Sequence, residues 1–95
     1  MEIRSIAHKG LRRLIEDDNA AGVPSTHVAK LEAILSFLEA APGMEAVQKL
    51  QTWKAHQLTG DRKGVWSLTV TRNWRVTFTI NDENEIEHLD LEDYH

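Results

Sequence analysis

The chain of 95 residues contains no cysteine. That excludes disulfide frameworks, thiolate metal sites and a cysteine nucleophile, and makes a reducing, cytoplasmic setting the easier expectation. No apolar run approaches the length of a membrane span, and the opening Met1-Glu2-Ile3-Arg4 lacks the apolar core of a signal peptide. No membrane association is expected. Internal repeats and low-complexity stretches are also missing. His8, His27 and His88 show no metal-ligand spacing and read as structural, so neither a metal nor a cofactor is expected. The length suits one domain over residues 1–95, folded around a single core without metal or disulfide help.

Positive charge is absent from the last fifteen residues. Residues 81–95 hold seven acids and no base, whereas residues 1–80 hold eleven bases against eight acids. The overall charge of −4 is therefore a property of the tail. A net acidic domain is a poor general nucleic-acid binder, because phosphate neutralisation supplies most nonspecific affinity. Yet between Lys54 and Arg75 the balance reverses, with five bases (Lys54, Arg62, Lys63, Arg72, Arg75) against the single acid Asp61. Such a local reversal marks a surface suited to a polyanion.

Hydrophobic periodicity divides the chain. Glu2 to Ile6 reads as a short strand. Leu11, Leu14 and Ile15 fall at helical spacing between Ala7 and Glu16, with Lys9, Arg12 and Arg13 forming a basic outer face. Asp17-Asp18-Asn19, Gly22 and Pro24 end that helix. Ser25 is the expected N-cap of a second helix carrying Val28, Leu31, Leu35 and Leu38, closed by Pro42-Gly43. Met44 to Leu50 adds one helical turn. Beyond it the pattern alternates, with Trp66, Leu68 and Val70 set against Ser67, Thr69 and Thr71, and Trp74, Val76, Phe78 and Ile80 set against Arg75, Thr77 and Thr79. Strands are also expected at Trp53–Leu58 and Glu85–Glu92, with Asn73 in a left-handed position between the two central strands. The fold class is thus α+β, a two-helix hairpin packed on one face of an antiparallel β-sheet. Alternation then sends Arg75 to the opposite face, where it should stand in the open.

Longer segments carry a family resemblance. HQLTGDRKGVWSLTVTRNWRVTF, the terminal DLEDYH and the opening AHKGLRRLIEDD together resemble the HigB-type, or host-inhibition, branch of the RelE/ParE toxin superfamily, from about Ala7 to His95. The resemblance implies a type II toxin that enters the ribosomal A site and cleaves messenger RNA without a metal. It implies a partner too, a HigA-like helix-turn-helix antitoxin through which operator DNA is contacted only indirectly. The family's active-site residues carry over to His56, Arg75, Asp93, Tyr94 and His95. The lysine of the family's HPLKG motif is here Thr59, and Arg62, Lys63 and Lys54 are the nearby bases able to replace its charge. A different class of function stays open beside this one, a noncatalytic toxin that binds a protein such as DNA gyrase in the ParE manner, or a chain that only binds its antitoxin.

The chemistry of RNA cleavage sorts these residues. A base must take the 2′-hydroxyl proton, a cation must stabilise the phosphorane, and an acid must protonate the leaving 5′-oxygen. His56 and His95 suit proton transfer, because imidazole titrates near neutrality. Arg75 suits the phosphorane, since guanidinium stays charged and grips two oxygens. Tyr94 is suited to stacking or hydrogen bonding, and Asp93 to orienting an imidazole. Lys54, Arg62 and Lys63 are candidates for RNA contact, and Lys9, Arg12 and Arg13 for ribosomal RNA. Plainer roles compete with each: a histidine on a polar strand is usually only a surface residue, and Arg75 is placed to pair with Asp90 or Glu92 across the sheet.

Overall fold

The computed structural model of the chain describes residues 1–93. Three helices, α1 (Lys9–Asp17), α2 (Val28–Ala40) and α3 (Met44–Lys49), precede four strands, β1 (His56–Gln57), β2 (Trp66–Thr69), β3 (Trp74–Ile80) and β4 (Ile86–Asp93). The strands form an antiparallel meander in the order β1-β2-β3-β4. The helices lie on one side of it, and the shared core joins Leu11, Leu31, Ile34 and Leu38 to Leu68, Val76, Phe78, Leu89 and Leu91. Among the described residues no helix is long and apolar enough to cross a membrane.

Local chemistry explains the helix limits. The His8 ring accepts a hydrogen bond from the Leu11 amide at 3.1 Å, capping α1, and Asp18 ends it in a left-handed conformation (φ 53°). In α2, Leu31, Ile34, Leu35 and Leu38 are buried, the three-and-four spacing expected of a core-facing stripe. Ser25 does not cap this helix. Residues Ser25–His27 form a 3-10 turn closed by the backbone, with the His27 amide on the Pro24 carbonyl at 3.0 Å, and no side-chain cap is made.

The sheet departs from simple alternation at three points. Between Trp53 and Leu58 only His56–Gln57 pair as a strand, because Lys54 takes a left-handed conformation (φ 50°) and interrupts the extended run. The Trp53 carbonyl still receives the Thr69 amide at 2.7 Å, so the segment stays at the sheet edge. Asn73 is not left-handed; the Val70 and Thr71 amides both close on the Trp74 carbonyl, and Asn84 fills the left-handed position in the next turn (φ 62°). In β4, His88 is the extra residue of a bulge (φ 58°), opposite the register shift between Thr77 and Thr79. One inserted residue flips the alternation. Ile86 therefore faces the core from one side of the bulge, and Leu89 and Leu91 face it from the other.

The expected amino-terminal strand survives only as two parallel bridges, Ile3 to Ile86 and Ile6 to Leu89. This ribbon is held by amide bonds such as Arg4 to the Ile86 carbonyl at 2.7 Å, and it covers the edge of β4.

Gly10 fixes the approach of α1 to the loop behind it. A Cβ there would lie 2.0 Å from the Gly22 carbonyl oxygen, a backbone atom that cannot turn aside. Alanine normally favours a helix over glycine by about 1 kcal/mol. Gly10→Ala is nevertheless expected to destabilise the fold by about 1–3 kcal/mol, the usual cost of overpacking, read as a lower urea midpoint. An unchanged or higher midpoint would show that the loop yields.

Candidate active site

Strand register assembles the site on the sheet face away from the helices. His56 pairs with Ser67, Ser67 with Thr77 and Thr77 with Asp90, while Thr69 pairs with Arg75 and Arg75 with Glu92. Residues opposite one another share a face, so two adjacent polar rows run across the sheet. His56 and Arg75 belong to neighbouring rows. With strands about 4.8 Å apart and about 3.3 Å per residue along each, their Cα atoms stand roughly 12 Å apart, a span their side chains reduce.

This face is not the open one expected for Arg75. The Arg75 side chain is 18% exposed, and Ser67 and Thr77 are buried. The loop after β1 folds back to this face of the sheet. A 3-10 turn at Gly60–Arg62 starts on Gly60 (φ 69°) and is followed by Gly64 (φ 94°), and positive φ at both lets the chain double back. Arg62 then reaches Glu92, with its two terminal nitrogens donating to the two carboxylate oxygens at 2.7 and 2.5 Å. This is a bidentate fork.

Glu92 gathers the remaining groups. Arg75 donates to its Oε1 at 3.4 Å, and the Thr77 hydroxyl donates to Oε2 at 2.5 Å. The Arg62 bond, helped by Thr77 and by the charge of Arg75, overcomes partial burial and lowers the Glu92 carboxyl to about 2. The same bond holds the Arg62 guanidinium above its ordinary value, with Asp90 adding to the effect. Thr77 and Glu92 were not singled out from sequence as site residues; their signal was the alternation of β3 and β4, which puts both on the Arg75 side.

His56 is exposed, and its Nδ1 lies 2.8 Å from the Lys54 carbonyl. A carbonyl only accepts, so Nδ1 carries the proton and the neutral ring keeps its lone pair on Nε2. The left-handed turn at Lys54 that interrupts the strand thus also sets the tautomer. Lys54 and His56 line a depression of about 450 Å³ with Gln48, Leu50, Gln51 and Ala55.

The other expected residues are dispersed. Asp93 lies opposite Trp74, so the alternation of β4 turns it to the other side of the sheet from Arg75 and Glu92. Tyr94 and His95 lie outside the described residues. Lys63 is exposed at the end of the Gly60–Arg62 turn. Lys9, Arg12 and Arg13 sit on α1, across the sheet from the polar rows, and Arg12 donates to the Ile6 carbonyl at 2.7 Å. Arg12 also lines a larger depression of about 530 Å³ beside the amino-terminal ribbon, remote from the polar rows.

The Glu92 shift sets a pH dependence. A carboxyl lowered on folding stabilises the protein fully above its ordinary value of 4.5, and that contribution disappears as pH falls through about 2. Urea unfolding across this window should therefore show a steeper loss of stability in the wild type than in Glu92→Gln. Parallel curves would mean that the fork contributes no linked stability.

Residues 4–95 match the family described as HigB-like toxin, a RelE-like toxin of the type II toxin-antitoxin system HigB. A curated relative, endoribonuclease HigB of Proteus vulgaris, is 42% identical over 94 residues, covering 98% of this chain and 99% of its own. Among solved structures, the YoeB/ParE toxin of Agrobacterium tumefaciens superposes with a TM-score of 0.62 at 14% identity, covering 100% of both chains. The YoeB-YefM toxin-antitoxin complex of Staphylococcus aureus matches with a TM-score of 0.61 at 14% identity, over 100% of this chain and 99% of that one. At such identities the structures establish the fold alone. The sequence match over nearly its whole length shows that the chain belongs to the HigB-like toxin family, RelE-like toxins of type II toxin-antitoxin systems.

Proposed function

We propose that this chain is the toxin of a type II toxin-antitoxin pair, an endoribonuclease that cleaves messenger RNA in the ribosomal A site. Its relative in Proteus vulgaris bears the name endoribonuclease. The observation that carries the reading is the oriented imidazole of His56, with Nδ1 tied to the Lys54 carbonyl, on the same sheet face as Arg75.

In this reading His56 is the general base. Its Nε2 takes the 2′-hydroxyl proton, and the freed oxygen attacks the adjacent phosphorus, closing a 2′,3′-cyclic phosphate as the 5′-oxygen leaves. Arg75 opposes the charge that builds on the phosphorane. Asp93, Tyr94 and His95 enter from the family resemblance, His95 as the acid that protonates the leaving oxygen. The ribosome supplies the substrate in position, which answers the poor intrinsic affinity expected of a chain carrying −4. Lys9, Arg13 and Lys63 are its proposed ribosomal contacts. The partner is a HigA-like antitoxin, operator DNA is reached only through it, and the setting is the cytoplasm. All 95 residues act as one domain.

Arg75→Ala leaves Glu92 paired with Arg62 and Thr77, so the fold should persist. Cleavage on programmed ribosomes should fall by about 10²–10³-fold, the usual effect of removing a charge-stabilising donor, and growth arrest should disappear while antitoxin binding is kept. Mapping mRNA ends after induction checks the reaction class. Cuts in frame with codons are the expected result; intact messages with double-strand DNA breaks would instead indicate a gyrase-directed toxin. A folded Arg75→Ala protein of full activity would remove Arg75 from the mechanism.

A further inference from the structure

Thr59 leaves an uncharged side chain where the family motif carries lysine, and the charged groups around Arg75 show why a replacement is needed. Arg75 faces Glu92 across the strands, and Asp90 lies in the neighbouring row. Among the described residues of these two rows, without another cation, these three groups sum to a negative charge, which would repel a phosphate rather than hold it. Of the three bases able to replace the lysine, Lys54 lies ahead of β1 and Lys63 ends the Gly60–Arg62 turn. Only Arg62, among the described bases of this loop, has its side chain bonded into the Arg75 row, through the Glu92 fork.

On the nuclease reading above, we propose that Arg62 supplies the second phosphate-gripping cation of the site in place of the missing motif lysine, with Glu92 as the positioning residue that holds it beside Arg75. A guanidinium presents five N–H donors in a rigid plane, and the fork to Glu92 uses two of Arg62's. The others remain for phosphate oxygens while the fork stays closed. Arg62 is 43% exposed and Arg75 18%, so the pair runs from the rim of the face to its interior. Preorganisation of this kind matters because a like-charged pair assembled only at the moment of reaction would have to overcome its own repulsion. Glu92 removes that cost by keeping both cations fixed in the free protein.

Single-turnover cleavage of mRNA on programmed ribosomes tests the assignment, with wild type, Arg62→Ala, Arg62→Lys and the double variant Arg62→Ala/Thr59→Lys compared. Arg62→Ala should lower the rate by about 10²–10³-fold. Arg62→Lys should recover part of it, because a point charge returns without the planar fork. The double variant should recover to within about tenfold of wild type, since the charge reappears at the motif position, a rescue that a purely structural role for Arg62 would not give. Wild-type cleavage by Arg62→Ala, or a double variant no better than Arg62→Ala, would overturn the proposal while leaving the nuclease reading intact. A second readout is independent of turnover. Binding of a 2′-deoxy, noncleavable oligonucleotide at several salt concentrations should show a log–log slope shallower by about 0.7 in Arg62→Ala, the change expected when one phosphate is no longer neutralised. An unchanged slope would count against Arg62 even if the wild type proved not to cut RNA.

Discussion

A single carboxylate ties together parts of the chain that the sequence keeps far apart. Glu92 on β4 binds Arg75 and Thr77 from β3 and Arg62 from the loop after β1. Its side chain is 21% exposed, so it has given up much of its hydration, and that loss is bearable only because charged donors replace the water. The dependence runs both ways. Two guanidiniums on one face repel, and the loop has Arg62 as its charged anchor to the sheet. Removing the carboxylate would take away the loop's fork to the sheet and the partner that Arg62 and Arg75 share. Most surface ion pairs contribute little; this one is bidentate, half-buried and shared among three partners, which is where such pairs count.

That carboxylate can sit there only because the sheet has two different faces, and the bulge at His88 keeps them different. Ile86 and Leu91 would fall on opposite sides of an unbroken strand, since they stand an odd number of positions apart. The extra residue corrects the parity, so Ile86, Leu89 and Leu91 all reach the core, and Asp90 and Glu92 both reach the polar rows. A left-handed histidine costs of order 1 kcal/mol in backbone strain. Burial of a leucine is worth about 1.5–3 kcal/mol, so two correctly facing leucines outweigh the strain. The same geometry that completes the core therefore aims the acids at the site.

These balances explain which features the sequence displayed and which it hid. The helices and central strands are written in local periodicity, since Leu31, Leu35 and Leu38, or Val76 and Phe78, identify their own environment through spacing alone. The resemblance supplied His56 and Arg75, and the register places them on a common face. What stayed hidden depends on contacts between distant residues. Alternation correctly put Arg75 across the sheet from the core, yet it could not show that Arg62 would come from the loop to share its Glu92 partner. Ser25 and Asn73 are favourable residues for a cap and a turn, but backbone bonds from Pro24 and Trp74 satisfied the same groups first. The break at Lys54 had no compositional signal, because lysine is not a turn residue by preference. Glu92 was visible only as a possible partner for Arg75, one acid among seven in the tail.

On the proposed reading, the near neutrality of the site has a functional sense. Arg62 and Arg75 are offset by Glu92 and Asp90, so the face presents two cations with little net field at a distance. Affinity for free RNA, which grows with the number of phosphates neutralised, is then weak. Stabilisation of the transition state obeys a different rule, because the phosphorane carries one more negative charge than the diester it comes from. Fixed guanidinium charges at short range respond to that added charge far more than to the ground state. A site built this way discriminates between RNA it merely meets and RNA already held in place. It leaves the work of capture to another surface, and the basic side of α1, separated from the polar rows by the whole thickness of the sheet and core, is positioned to take it.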